Sequence, residues 1–143
     1  MATENHIRYF ISGHVDITQS QFDIYYKQHI RNAASHSDSI FLMGNAFGAD
    51  YMAQQLLIDL LTDLKRIHVY HRGSDPGKHV DPRVTLVGGF SSHNAKDKQM
   101  TLNSDQDIAW IRPEEETKAL YGDKYRPGRI SGTEQNLIRR KKL

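Results

Sequence analysis

Apolar positions along this chain alternate between short consecutive runs and a helical spacing. "IRYFIS" (7–12) is a β-rich apolar run ending at Gly13, which predicts a buried strand. Thr18, with Gln21 three residues on, forms a capping-box pattern, and Phe22, Tyr25, Tyr26, His29, Ile30 and Ala33 then recur at helical spacing to about Ser35. The sequence repeats this arrangement. "SIFLM" (39–43) predicts a second strand, "GNAFGAD" (44–50) a glycine-rich turn, and 51–64 a helix with Met52, Leu56, Leu57, Leu60, Leu61 and Leu64 on its apolar side. "RIHVYH" (66–71) predicts a third strand.

The section "RGSDPGKHVDPR" is dense in Gly, Pro, Asp and charge and predicts a loop, followed by a short fourth strand in "VTLVGGF". A helix over 92–103 and a buried strand "QDIAWI" (106–111) come next, and Pro113 stops that strand. Residues 112–131 then form a long connection with at most one helical turn, "TKALYG", before a final helix opens near "SGTEQNLIRR". Connections of that length in compact domains are commonly functional or mobile. The βα alternation predicts a mainly parallel sheet with helices on both faces.

Composition narrows this picture. The length, 143 residues, suits one domain, 1–143, able to bury a sizeable core without disulfides or metals. With no cysteine, disulfide frameworks, thiolate zinc sites and thiol nucleophiles are excluded, and a reducing cytoplasm is compatible. The start "MATENHIRYF" lacks a basic segment followed by a long apolar one, and no run approaches the roughly 20 apolar residues of a membrane span, so the expectation is a cytoplasmic protein without a membrane partner. Nineteen basic against seventeen acidic residues is too balanced to argue for nucleic acid in general. The local exception, "RRKKL", falls where cations complement a helix dipole.

In an open parallel sheet, ligands bind beyond the carboxyl ends of the strands, so the informative residues follow each strand. They are Ser12, Gly13, His14 and Asp16 after the first; Gly44, Asn45, Ala46, Gly48 and Asp50 after the second; and Ser131, Gly132 and Thr133 at the last helix. Glycine lets an anion approach backbone N–H groups, and a helix N-terminus adds about half a positive charge. Gly44 and Gly48 fit such an anion cradle and equally fit a tight turn carrying Asp50 at a dipole-favoured position. Lys124, Arg126 and Arg129 precede the Gly-Thr turn, where guanidinium groups match phosphate oxygens. Eight histidines lack any HExxH-like clustering, and His68 and His71 point to opposite faces of a strand, so no metal site is expected.

"GNAFGADYMA", then Lys96, Asp97, Met100 and "SD" (104–105) before "IAWI", and finally "SGTEQN", follow in an order that resembles the SLOG superfamily over roughly 7–140. This superfamily includes the Lonely Guy nucleotide phosphoribohydrolases and the DNA-processing protein A family. The resemblance implies a three-layer Rossmann-like α/β domain binding a nucleotide or nucleotide-derived molecule, without a cofactor, as a homodimer or higher homo-oligomer. It implies ligand contacts from the two glycine turns. Single-stranded DNA, suggested by the DNA-processing branch and the basic tail, ranks behind a nucleotide.

Two departures bear on activity. The phosphoribohydrolases have an arginine where this chain has Lys96, and a glutamate two or three residues beyond the Gly-Thr turn, where Gln135 and Asn136 stand here. Glu134 is the local carboxylate, and an amide does not replace a charge that stabilises an oxocarbenium-like transition state. The expectation is therefore a sensor or sequestering module, with N-glycosidic hydrolysis through Glu134 and Lys96 as the alternative.

Overall fold

In the computed structural model, which describes residues 7–143, five parallel strands form one sheet in the order β4-β3-β2-β1-β5. They are β1 (Arg8–Ser12), β2 (Ile40–Met43), β3 (Ile67–Arg72), β4 (Thr85–Phe90) and β5 (Gln106–Ala109). The helices are α1 (Gln19–Tyr25), α2 (Lys27–Ala34), α3 (Ala49–Leu60), α4 (His93–Leu102), α5 (Glu114–Tyr121) and α6 (Gly132–Lys141). This is a three-layer Rossmann-like α/β fold, as the alternation of periods predicts.

Side-chain alternation divides the strands between two cores. Tyr9, Ile11, Phe41, Met43, Ile67 and Val69 pack with buried residues of α1, α2 and α3. Phe10, Leu42 and Tyr70 turn the other way and meet Met100 of α4, which in turn packs beside α6. No helix among the described residues is long and apolar enough to cross a membrane.

Several boundaries differ from expectation for identifiable reasons. The Thr18–Gln21 capping box is present, but the helix it opens breaks at Tyr26 into α1 and α2. The break falls where the fully buried Tyr26 reaches the strand ends: its hydroxyl donates to Ser12 O (2.6 Å) and accepts from the Trp110 N–H (3.0 Å). Trp110 therefore leaves β5 rather than extending it to 111, and its indole stacks on Tyr25 at 4.2 Å. Helix α3 begins at Ala49 and ends at Leu60, and its inward stripe is Ala49, Ala53 and Leu57; Leu60 is 40% exposed. The small alanines let α3 approach the β1 end so closely that Ala49 Cβ lies 2.5 Å from where a Gly13 Cβ would be.

The long connection is not structureless. Pro113 precedes α5, three glutamates occupy its first turn where the helix dipole favours them, and Gly122 (φ +55°) ends it. At the far terminus, the Arg140 guanidinium bonds Asp107, Ser104 and the carbonyls of Thr101 and Ser104, and Arg139 bonds Asn136 and Asn94. Both tail arginines thus tie α6 to α4 and β5.

Tyr26→Phe removes the hydroxyl that satisfies Ser12 O and the Trp110 N–H. Urea unfolding should show a loss of about 1–3 kcal/mol relative to wild type.

Candidate functional site

From β1 the chain adds β2, β3 and β4 successively to one side, then places β5 on the other. The topological switch point therefore lies between β1 and β5, where open α/β sheets bind ligands. A cavity of about 920 Å³ sits there, lined by Gly13–Asp16 beyond β1, by 111–113 beyond β5, by α5 and 124–130, and by the start of α6. The volume lies in the range of small-molecule sites.

Its wall is held by polar contacts. Arg112, whose side chain is almost fully buried, donates from Nη2 to Asp16 (2.8 Å), and the Tyr121 hydroxyl donates to the same carboxylate (3.2 Å). Burial alone raises the Asp16 pKa, but Arg112 and Tyr121 hold it below the ordinary carboxylate value. The Arg112 N–H donates to His14 Nε2 at 3.1 Å, so this ring nitrogen is unprotonated. Burial, then the Arg112 charge, lower the His14 pKa against an opposing pull from Asp16. The imidazole meets Trp110 edge-on, with centroids 5.8 Å apart. Tyr125 donates to Glu114, which also pairs with Lys118.

The floor is the N-terminus of α6. Ser131 caps it by accepting from the Glu134 N–H (3.1 Å), while Gly132 is exposed with open space where a Cβ would project. Arg129, Arg126 and Lys124 line the same cavity. Asp16 and Glu114 are engaged by other side chains; the Glu134 carboxylate carries no such partner and stands beside the helix opening.

Of the residues expected at the site, the structure brings together Gly13, His14, Arg129, Ser131, Gly132, Thr133 and Glu134 around this cavity. Ser12, Gly44, Asn45, Ala46, Gly48, Asp50 and Lys96 lie outside its lining. Two N–H groups of the 44–50 turn are already satisfied internally: Ala46 donates to Asp50 Oδ2 (3.2 Å) and Ala49 to His14 O (3.2 Å). Asn45 donates to Pro76 O. Gly48 (φ +79°) is required for close backbone approach, since a Cβ would come within 2.6 Å of His14 O and closer still to the Val15 carbonyl.

Three of those outlying residues, Gly44, Asp50 and Lys96, form a second, inner group. Asp50 Oδ2 and Lys96 Nζ lie 2.7 Å and 3.0 Å from where a Gly44 Cβ would be, without forming a direct ion pair. Lys96 is 4% exposed, and the ion partner it has is Asp97 at 3.9 Å. Burial pushes the Asp50 carboxyl up to about 7; Lys96 and the Ala46 N–H oppose the rise, and Asp97 adds to it. His93, one turn before Lys96, lines the cavity, and its pKa is lowered by burial and then by Lys96.

Arg112 is the main residue that sequence reasoning missed, together with Tyr121 and Tyr125. Arg112 directly follows "AWI", so the rule that selected residues beyond strand ends applies to it equally. Tyr121 and Tyr125 come to the site through the fold of α5, which local pattern does not reveal. Among the described residues no group of three or more His, Asp or Glu could hold a metal ion. Compared with protein-family models, curated proteins and solved structures, the chain matches none.

Two outcomes separate structural from open glycines. Gly48→Ala should destabilise by more than about 2 kcal/mol in urea melts, through positive φ and backbone collision, whereas Gly132→Ala should stay within about 0.5 kcal/mol. A third concerns pH. Because the folded pKa of Asp50 exceeds its ordinary 3.8, the folded protein keeps a proton that the unfolded chain releases between about pH 4 and 7. Stability from this group therefore falls as pH rises through that window. In Asp50→Asn that contribution disappears, so urea midpoints from pH 4 to 7 should decline less than in wild type.

Proposed function

We propose that the chain binds a nucleotide or nucleotide-derived small molecule at the carboxyl edge of the sheet, as a sensor or sequestering module. The observation carrying this reading is the cavity at the β1/β5 switch point, floored by the α6 N-terminus and rimmed by Arg129, Arg126 and Lys124. Positive dipole, free space at Gly132 and guanidinium donors together suit a phosphate. The resemblance of "GNAFGADYMA" and "SGT" to SLOG segments supports the same class of ligand. The internal bonds of the Ala46 and Ala49 N–H groups support a phosphate at α6 rather than one shared between both turns. Single-stranded DNA gains little from the tail, because two of its four cations, Arg139 and Arg140, are committed to contacts within the fold.

A second reading, N-glycosidic hydrolysis of a nucleoside monophosphate, is favoured by the unengaged Glu134 carboxylate beside the α6 opening. Against it stand Lys96, which lies outside the cavity lining, and the amide side chains of Gln135 and Asn136.

Calorimetric titration with AMP, NAD and ADP-ribose tests binding. Gly132→Asp places a carboxylate in the open space over the helix end, and Arg129→Ala removes a phosphate donor; each should weaken affinity by about tenfold or more. Unchanged affinity in both variants sinks the assignment. Chromatography of the same mixtures detects released base and sugar phosphate; turnover abolished in Glu134→Gln would replace the binding reading with the hydrolytic one.

A further inference from the structure

His14 is held firmly yet uses only one of its two ring nitrogens within the fold. Its carbonyl accepts from the Ala49 N–H (3.2 Å), its imidazole meets Trp110 edge-on, and Nε2 accepts from the Arg112 N–H (3.1 Å). Arg112 is anchored in turn, its nearly buried guanidinium bonded to Asp16 at 2.8 Å. An imidazole that accepts at Nε2 carries its proton on Nδ1 when neutral. Burial, and then the Arg112 charge, hold the pKa of this ring below its ordinary 6.5 against the pull of Asp16, so at neutral pH it is uncharged.

No side chain or backbone group among the described residues accepts from Nδ1–H. Ser12 Oγ is the enclosed side-chain atom without a partner there, so Nδ1 is not sealed inside the protein, and His14 lines the cavity. The ring therefore offers a guest one neutral donor whose orientation is set before binding.

The surroundings of that donor differ from those of the phosphate position. Lys124, Arg126, Arg129 and the opening of α6 all fall within 124–134, whereas the guanidinium beyond β5, Arg112, is already paired with Asp16. Beside His14 and Arg112 in the chain, Val15 is 64% exposed and Ile111 37% exposed, and both line the cavity. Apolar surface with one neutral donor suits a flat heteroaromatic ring, which lays its faces on hydrocarbon and accepts the N–H at a ring nitrogen or carbonyl oxygen. A second phosphate gains less, because an uncharged imidazole lacks the charge-assisted bond that a guanidinium supplies. A sugar hydroxyl gains nothing from the apolar side chains.

We propose that His14 reads the nucleobase, donating from Nδ1–H to a neutral acceptor on the base edge, with Val15 and Ile111 against the base. This rests on the nucleotide reading above. It also orients the ligand, with its base at the ends of β1 and β5 and its phosphate at α6.

Calorimetry on the full chain with AMP, GMP, CMP and UMP against ribose 5-phosphate reads this contact. At least one nucleotide should bind about tenfold or more tightly than the base-free sugar phosphate. His14→Ala should remove most of that margin while ribose 5-phosphate affinity stays within about twofold. Two further variants separate reading from scaffolding. His14→Asn keeps an amide N–H near the Nδ1 position and should retain part of the margin. His14→Gln keeps an acceptor for the Arg112 N–H, loses the Nδ1 donor and should not. Nitrogen NMR of the wild-type imidazole needs no variant: the Nδ1 resonance should move on adding the preferred nucleotide and stay in place with ribose 5-phosphate. Nucleotides that bind no more tightly than ribose 5-phosphate overturn the base contact and leave phosphate binding standing. So does a loss in His14→Ala that both probe types share equally, or an Nδ1 resonance indifferent to the nucleotide. Absence of binding by every probe overturns the nucleotide reading and the base contact with it.

Discussion

A single phenolic hydroxyl joins the two strands that bracket the crevice. Tyr26 donates to the last carbonyl of β1 and accepts from the first N–H beyond β5, in a setting where burial, and the Asp50 charge against the opposing Trp110 N–H, push its pKa up to about 12. It therefore stays protonated under ordinary conditions and fulfils both roles. Much else follows from where this side chain ends. The helix carrying it breaks at that residue, Gly13 must lack a Cβ to leave it room, and Trp110 is diverted from the sheet to stack on Tyr25. The cavity opens just beyond, where the two chains part.

Glycine serves different ends in the two turns. At Gly48 it permits positive φ and the close passage of the β1–α1 loop, so the turn is welded to its own neighbours. At Gly132 nothing crowds the missing side chain, and the helix end faces open space. The same residue type thus marks a packed joint in one place and an accessible surface in the other. Sequence shows both glycines and does not show which is which.

That distinction describes how far the chain is legible without coordinates. The sheet, its parallel sense and the residues beyond the strands were readable because consecutive apolar runs and helical spacing depend on local pattern. Of the residues expected on the apolar side of 51–64, Leu57 and Leu61 are buried and Met52, Leu56 and Leu64 pack against the core; the pattern did not reveal that Leu60 is exposed or that the small Ala49 and Ala53 are fully buried. The helix in 114–121 was hidden by its exposure: it buries no side chain, so it leaves no apolar periodicity, although its glutamates and the following glycine were visible as dipole and stop signals. Grouping of residues into a cavity and an inner cluster required three dimensions, since Arg112 meets Asp16 across 96 positions.

The attachment of α5 gives the cavity wall a stability of its own. With no buried side chain, this segment is anchored through the Arg112–Asp16–Tyr121 contacts rather than by a share of the core. Parts of a protein secured in this way open locally, at a free energy well below that of global unfolding. Amide exchange in α5 is thereby decoupled from exchange in the central strands, and this wall of the cavity can open while the sheet beneath it stays intact. Access to the site and durability of the fold are separately adjustable in this architecture.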